Sequence, residues 1–325
     1  MEINGVTTVI RSVGERTEAL CKSIILGQGV PNSNTVIVNE TPFSKALDKS
    51  FSIGIENDLP WTLCIDADVL LRPNALKQLI SVANKQNDRV CEVQGFVLDK
   101  FHGGVRYGGP HLYRTSLLKL VKDFIPSEGV SVRPETYALN KMNKNGYPWY
   151  SVTLLAGIHD YEQYYRDIFR KCFVYAHKYP DRLENFVSHW RLMLKNDFDY
   201  EVALGGLAAG IEYNKNVYID ANRLIYYEKF AEKNIKEKVK LNTDEYSASH
   251  IEEIIQGWGK MPENMKIKSI RLNFNGKVVR AASSDKLYLL KNKARHLGFI
   301  RVLPWLIGFM MKSIGGRICK VLEKE

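Results

Sequence analysis

The sequence predicts an α/β protein built on a mostly parallel sheet with helices on its faces. Three observations predict it. Strand-like and helix-like segments alternate from the first residues, which implies crossover connections. The first three strand-like segments all end in polar residues: Arg11-Ser12, Asn39-Glu40 and Asp66-Ala67-Asp68. The third breaks an apolar run, Leu63 to Ile65, with two carboxylates, and ligands of open α/β sheets collect at such carboxyl ends.

Val6 to Val13 is a β-branched run and reads as a buried strand. Glu15 to Leu26 follows with helical period, and Thr17 is placed to cap it. Thr35 to Asn39 is the second strand, and Phe43 to Ile55 a short helix. The third strand carries Asp66 and Asp68. Residues i and i+2 of a strand point the same way, so both carboxylates are expected to face one point. Two oxygen ligands there suit a hard divalent cation, with phosphate oxygens completing its shell. A D-x-D after a strand can equally be a loop and a helix cap. Pro73, at a helix start, opens a helix to about Lys85.

Glu92 to Leu98 is another strand. The glycine- and histidine-rich stretch from Phe101 to His111 is expected to be a flexible loop near a ligand, with His102 and His111 as loop residues. Leu112 to Phe124 is expected to be helical. Arg133 to Gly146 has helical period, with Gly146 as its C′ glycine and Glu135 in its first turn. Val152 to Ile158 is an apolar strand ending in His159-Asp160. Tyr161 to Lys178, Arg182 to Leu194 and Asp197 to Ile211 read as three helices. Glu228 to Lys240 reads as a solvated charge run, and Asn275-Gly276 as a hairpin turn.

The formal charge of +10 is unevenly spread: residues 286–325 hold nine Lys/Arg against two Glu. A uniformly basic nucleic-acid binder would not look like this, so no nucleic-acid partner is expected. The five cysteines have no zinc-site spacing and read as free thiols, with Cys64 in the core. The N-terminal residues lack a basic, then apolar, signal-peptide pattern.

Four features in order make the first 160 residues resemble nucleotide-sugar glycosyltransferases of the GT-A, Rossmann-like fold, family 2 type. The first is a strand followed by Glu15-Arg16-Thr17 and a helix. The second is the segment from Trp61 to Leu76 around Asp66-Ala67-Asp68. The third is Pro134-Glu135 followed by Leu139, Met142 and Gly146-Tyr147. The fourth is the apolar strand ending in His159. There are departures. Asn39-Glu40 stands where the family often has two aspartates, Pro134 replaces the first acid of a pair, and Glu135 replaces the expected aspartate. No Q-x-x-R-W is present, which argues against a processive enzyme.

The resemblance implies transfer of a sugar from a UDP- or GDP-sugar donor, with Mn²⁺ or Mg²⁺ neutralising the departing diphosphate. It implies Asp68 as the direct metal ligand, and Asp66 as a contact to the ribose or to the metal through water. His159 is a candidate third ligand, which would favour Mn²⁺; otherwise it is a polar residue leading into a helix. Glu135 is the candidate general base and, lying on a different element from the metal pair, would give inversion. Its other role would be a favourable charge at a helix N-terminus. Arg11, Ser12, Arg16, Asn39 and Glu40 are candidate nucleotide contacts, Arg16 being equally a surface residue.

Residues 1–225 are expected to form the transferase domain, with a nucleotide and metal half over about 1–100 and an acceptor half over about 101–225. Residues 226–325 are expected to form a helical C-terminal extension. Its segment 286–325 mixes basic residues with Trp305, Phe309 and other large apolar side chains, and Val302 to Met311 is too short to span a bilayer. It suits an interfacial helix on an anionic membrane, or a helix packed on the core. The expectation is a peripheral protein on the cytoplasmic face of a membrane, acting on a glycan or lipid-linked acceptor. Two rivals are a haloacid-dehalogenase-like phosphohydrolase using Asp66 and Asp68, and a degenerate sugar-binding or scaffold protein on a membrane.

Overall fold

The computed structural model describes residues 3–217, 219–220, 225–232 and 235–261, with the backbone of two short strands at 270–272 and 278–280. The chain forms two compact units, Met1–Val279 and Arg280–Glu325. Apart from Arg280, the described residues belong to the first.

Seven strands form one sheet: β1 (Val6–Arg11), β2 (Thr35–Val38), β3 (Trp61–Asp66), β4 (Val69–Leu71), β5 (Glu92–Asp99), β6 (Gly104–Arg114) and β7 (Trp149–His159). Their order is β2-β1-β3-β6-β5-β7-β4. β1 runs parallel to β2 and β3, as the alternation of strands and helices predicts, and β5 runs parallel to β7. β6 is antiparallel to both β3 and β5, and β4 to β7. The reversal at β6 follows from its short connection to β5, which leaves no room for a crossover. Two further strands, β8 (Ile270–Leu272) and β9 (Val278–Arg280), pair with each other around the expected hairpin turn, itself outside the described residues.

The helices are α1 (Glu18–Gly27), α2 (Phe43–Asn57), α3 (Ala75–Ala83), α4 (Leu118–Asp123), α5 (Pro134–Lys144), α6 (Tyr165–Lys178), α7 (Leu183–Met193), α8 (Asp199–Glu212), α9 (Ile225–Ala231) and α10 (Ala248–Lys260). They cover both faces. Side chains alternate along β3, so Trp61, Leu63 and Ile65 join a core with Leu20, Ile25, Leu76 and Leu79 of α1 and α3. Cys64 points the other way, into a core with Leu47, Phe51, Leu118, Leu139 and Met142 of α2, α4 and α5. α10 adds Ile251 and Trp258 to the first core. A third cluster unites α6, α7 and α8 around Phe101 and Trp190. There, a Cβ at Gly206 or Gly210 would run into the carbonyl oxygens of Phe169 and Phe173, so these glycines set how closely α8 approaches α6. The four described cysteines are free and buried, Cys64 among them.

Four local expectations are corrected. Residues 104–111 are strand β6, and its glycines serve an irregularity in the sheet. Gly108 and Gly109 have φ of 114° and 105°, beside the register shift between Gln94 and Phe96. Residues 112–114 continue that strand, so the helix predicted from Leu112 starts only after it. Thr17 stands at the N-cap of α1, but its hydroxyl donates to the Ala67 carbonyl at 2.7 Å instead of capping. The charge run 228–240 is not merely solvated. Glu237 accepts from the backbone N–H groups of Tyr165 and Arg166 at 2.7 and 3.1 Å, satisfying donors at the start of α6. Lys238 lies 2.5 Å from Asp199. No described helix is long and apolar enough to cross a membrane. Residues 286–325 lie outside the described residues.

Candidate active site

Strand register brings one group of side chains together. β7 ends at His159, opposite Val69 of β4 on one side and Asp99 of β5 on the other. The Asp160 N–H donates to the Asp68 carbonyl at 3.2 Å, extending the β4–β7 ladder by one step. Asp160 holds φ of 67°, a conformation an aspartate tolerates better than most residues. Nε2 of His159 lies 3.3 Å from Asp68 Oδ1, and Nδ1 lies 3.0 Å from Asp160 Oδ2. One ligand atom from each of Asp68, His159 and Asp160 falls within 4.8 Å of the others.

Asp68 Oδ1 and Asp160 Oδ2 are buried and accept no hydrogen bond. Such orphaned oxygens are costly unless a cation meets them. Beside them, Nδ1 of His159 is 2.8 Å from Asp99 Oδ2. Burial opposes charge on His159, but Asp160 and then Asp68 raise its pKa well above the ordinary value, so the imidazole is protonated without a metal. A cation at Nε2 would displace that proton, with Nδ1–H donated to Asp99, the usual arrangement of a metal-ligating histidine. Two carboxylates and an imidazole therefore fit Mn²⁺ or Mg²⁺, the imidazole favouring Mn²⁺.

Two protein cations also reach this group. Arg106 donates from Nε to Asp99 Oδ2 at 2.5 Å and sets Nη2 3.0 Å from His159 Nδ1. Lys171, on α6, places Nζ 2.5 Å from Asp68 Oδ2, bonds Asp160 Oδ1, and lies 3.4 Å from His159 Nε2. Burial opposes charge on Lys171, but Asp160 and Asp68 outweigh it and raise its pKa. Asp68 is likewise buried, yet Lys171 and then His159 hold its carboxyl well below the usual range.

A second network lies at the carboxyl ends of β1 and β3. Arg11 donates from Nε to Asp66 Oδ1 at 2.7 Å and from Nη1 to Glu135 Oε1 at 3.0 Å. Its guanidinium stacks on Phe43, 4.9 Å from the ring centroid. The Tyr113 hydroxyl donates to the same Glu135 oxygen at 2.8 Å. His111 Nε2 lies 3.4 Å from Glu135 Oε2, and its Nδ1 is 2.6 Å from the buried Glu92. Burial opposes ionisation of Glu135, but Arg11 and then His111 prevail and bring its carboxyl down to about 2. A solvent-open cleft nearby is lined by Phe43, Ser127, Gly129, Pro134 and Ile219.

The structure brings Asp68 and His159 together and places Glu135 in the first turn of α5. Asp66 lies elsewhere. β3 ends at Asp66 and the chain turns through Ala67 and Asp68, so the same-face rule does not reach Asp68. Asp66 pairs with Arg11 instead, and the two aspartates belong to separate networks. Ser12 donates to Glu15 at 2.8 Å, within a tight turn after β1. Arg16 is taken up by Glu162 at 2.6 Å and by the Val239 carbonyl at 2.7 Å. Asn39 and Glu40 are exposed at the end of β2. His111, expected in a loop, is a strand residue facing Glu135.

Several residues escape sequence reasoning. Asp160 and Asp99 carry a signal, since each is an acid ending an apolar strand. Arg106 was hidden by the loop assignment. Lys171 sits mid-helix among other charges and has no distinguishing pattern.

No protein-family profile matches the chain. No curated protein matches it either. Among solved structures, a mannosyltransferase from Pyrobaculum calidifontis, in complex with GDP-Man and Mn²⁺, is 13% identical over 78% of this chain and 84% of its own, with a TM-score of 0.38. A glycosyltransferase involved in glycosylation of the major capsid of PBCV-1 is 14% identical over 48% and 83%, at 0.33. A cytidylyltransferase from Leptospira borgpetersenii is 9% identical over 46% and 76%, at 0.32.

Proposed function

We propose that this protein is a metal-dependent, non-processive glycosyltransferase. It moves a sugar, with inversion, from a UDP- or GDP-sugar to a hydroxyl of a glycan or lipid-linked acceptor at an anionic membrane surface. The supporting observation is the grouping of Asp68, His159 and Asp160, with two buried carboxylate oxygens that accept no hydrogen bond. It lies in the sheet whose first 160 residues resemble nucleotide-sugar transferases.

Asp68, Asp160 and His159 Nε2 hold the cation, while Asp99 orients the imidazole. A bound Mn²⁺ or Mg²⁺ supplies Lewis-acid neutralisation of the departing diphosphate. Glu135 accepts the acceptor hydroxyl's proton. Arg11 keeps that carboxylate ionised, and Oε2, farther from its partners than Oε1, is the free face for an incoming hydroxyl. Residues 286–325 supply the basic, aromatic-bearing segment for the membrane surface. The separation of Asp66 from Asp68 into different networks disfavours the phosphohydrolase alternative, which needs the two to act as a pair.

A thermal-shift screen of nucleoside diphosphates and nucleotide sugars, with and without Mn²⁺, tests this on the wild type and Asp68→Ala. One nucleotide should raise stability in a Mn²⁺-dependent way, by about 2.7 kcal/mol at a hundredfold excess over Kd. The rise should vanish in the variant. No rise with any nucleotide would favour the sugar-binding or scaffold alternative.

A further inference from the structure

We propose that Lys171 is a tethered competitor for the cation site, whose ammonium holds Asp68 and Asp160 until an ion arrives with an anionic ligand that receives the lysine. The identity of that anion, a diphosphate, rests on the transferase reading; the competition itself does not.

The geometry carries the inference. Nζ of Lys171 is 2.5 Å from Asp68 Oδ2, is bonded to Asp160 Oδ1, and lies 3.4 Å from His159 Nε2. It thus engages the same three residues that present cation-ligand atoms. Yet one ammonium does not satisfy them: Asp68 Oδ1 and Asp160 Oδ2 take no hydrogen bond from it and face only the His159 nitrogens, at 3.3 and 3.0 Å. Asp68 and Asp160 thus keep one oxygen each that Lys171 does not use.

Exposure is also unequal. The Lys171 side chain is 23% exposed, against 11% for Asp68 and 1% for Asp160. A lysine on a flexible four-carbon stem can swing toward solvent, whereas Asp68 and Asp160 sit on short side chains whose backbones are joined at the end of the β4–β7 ladder. An ammonium 3.4 Å from His159 Nε2 and bonded to both carboxylates repels a divalent ion held by the same three residues, whichever carboxylate oxygens each takes. The ion's apparent affinity is therefore reduced by the fraction of molecules in which Lys171 is withdrawn. Once displaced, the ammonium remains beside the ion, where an ion-bound diphosphate would lie. Ion and diphosphate then bind with positive coupling, and by linkage each improves the other. The lysine would thus disfavour loading of the ion alone.

The test is direct Mn²⁺ binding, followed by electron paramagnetic resonance of free Mn²⁺, to the full chain as wild type, Lys171→Met, Lys171→Gln and Asp68→Asn. Inorganic pyrophosphate serves as the anionic probe at fixed free Mn²⁺, and circular dichroism verifies the fold of each variant. Both Lys171 variants should bind Mn²⁺ alone at least about tenfold more tightly than the wild type. Pyrophosphate should improve wild-type affinity several times more than theirs, and Asp68→Asn should bind no Mn²⁺ at this site. Lys171→Gln guards against instability from two uncompensated carboxylates in Lys171→Met. Equal or weaker binding by the Lys171 variants, with Asp68→Asn inactive in binding, overturns the competition while the metal reading stands. No Mn²⁺ bound by any folded chain overturns both.

Discussion

Arg11 Nη1 lies 3.0 Å from Glu135 Oε1, joining the end of β1 to the first turn of α5. The arginine is 3% exposed and the glutamate 12%. The candidate base is thus a charge held in place, and its lowered pKa means that it is ionised at any neutral pH.

Glu135→Gln should keep the Tyr113 and Arg11 contacts to Oε1 but lose the ability to accept a proton. Sugar transfer should fall by at least about 100-fold, with nucleotide affinity nearly unchanged. Near-normal turnover in steady-state assays would remove Glu135 from the base role. Because its folded pKa, about 2, is below the ordinary 4.5, the stability it contributes is present above pH 4.5 and lost as pH falls through 2. Glu135→Gln should flatten urea stability over that acid window.

Glu15 behaves in the opposite sense. Burial, and then Asp68, raise its carboxyl from 4.5 to about 7. The folded chain holds a proton that the unfolded chain has released, so stability falls as pH rises from about 4.5 through 7. Glu15→Gln removes that dependence. Its urea midpoint relative to wild type should climb across this window and level off above it; a pH-independent difference would contradict the assignment.

Asp160→Asn tests the candidate ligand that sequence reasoning missed. Asparagine tolerates the φ of 67° there, so the backbone should be preserved. Losing one carboxylate should weaken Mn²⁺ binding roughly tenfold or more, judged against the 10–100-fold typical of even indirect ligand contacts. Calorimetry showing unchanged affinity would place the ion elsewhere.

Glu237 caps α6 from 72 residues away in the chain, and α6 carries Lys171. Glu237→Ala leaves the Tyr165 and Arg166 N–H groups without that partner. It should lower folding stability by about 0.5–2 kcal/mol, as loss of a helix cap does. Chemical denaturation gives the value, and no change would mean that water serves the helix start equally well.

Deletion of residues 286–325 should release the protein from anionic vesicles. Nine basic residues leave with the segment, each worth about 1 kcal/mol near an anionic surface. If the shortened chain still sediments with phosphatidylserine vesicles, the membrane contact lies elsewhere.

The sequence by itself determined the parallel half of the sheet, the helices on its faces, and Asp68, His159 and Glu135 as residues of interest. These follow from local signals: β-branched runs, helical period, and polar residues where apolar strands stop. It misjudged residues 104–111, because glycine marks an irregular strand as readily as a loop, and only pairing with β3 and β5 decides between them. It joined Asp66 to Asp68 because strand periodicity was carried past the point where β3 ends. Tertiary structure alone decided that Asp160 and Asp99 flank His159, that Arg11 links Asp66 to Glu135, and that Lys171 reaches the acidic pair. These contacts join residues up to 124 positions apart, so they depend on strand register and helix docking, which no local stretch of the chain encodes.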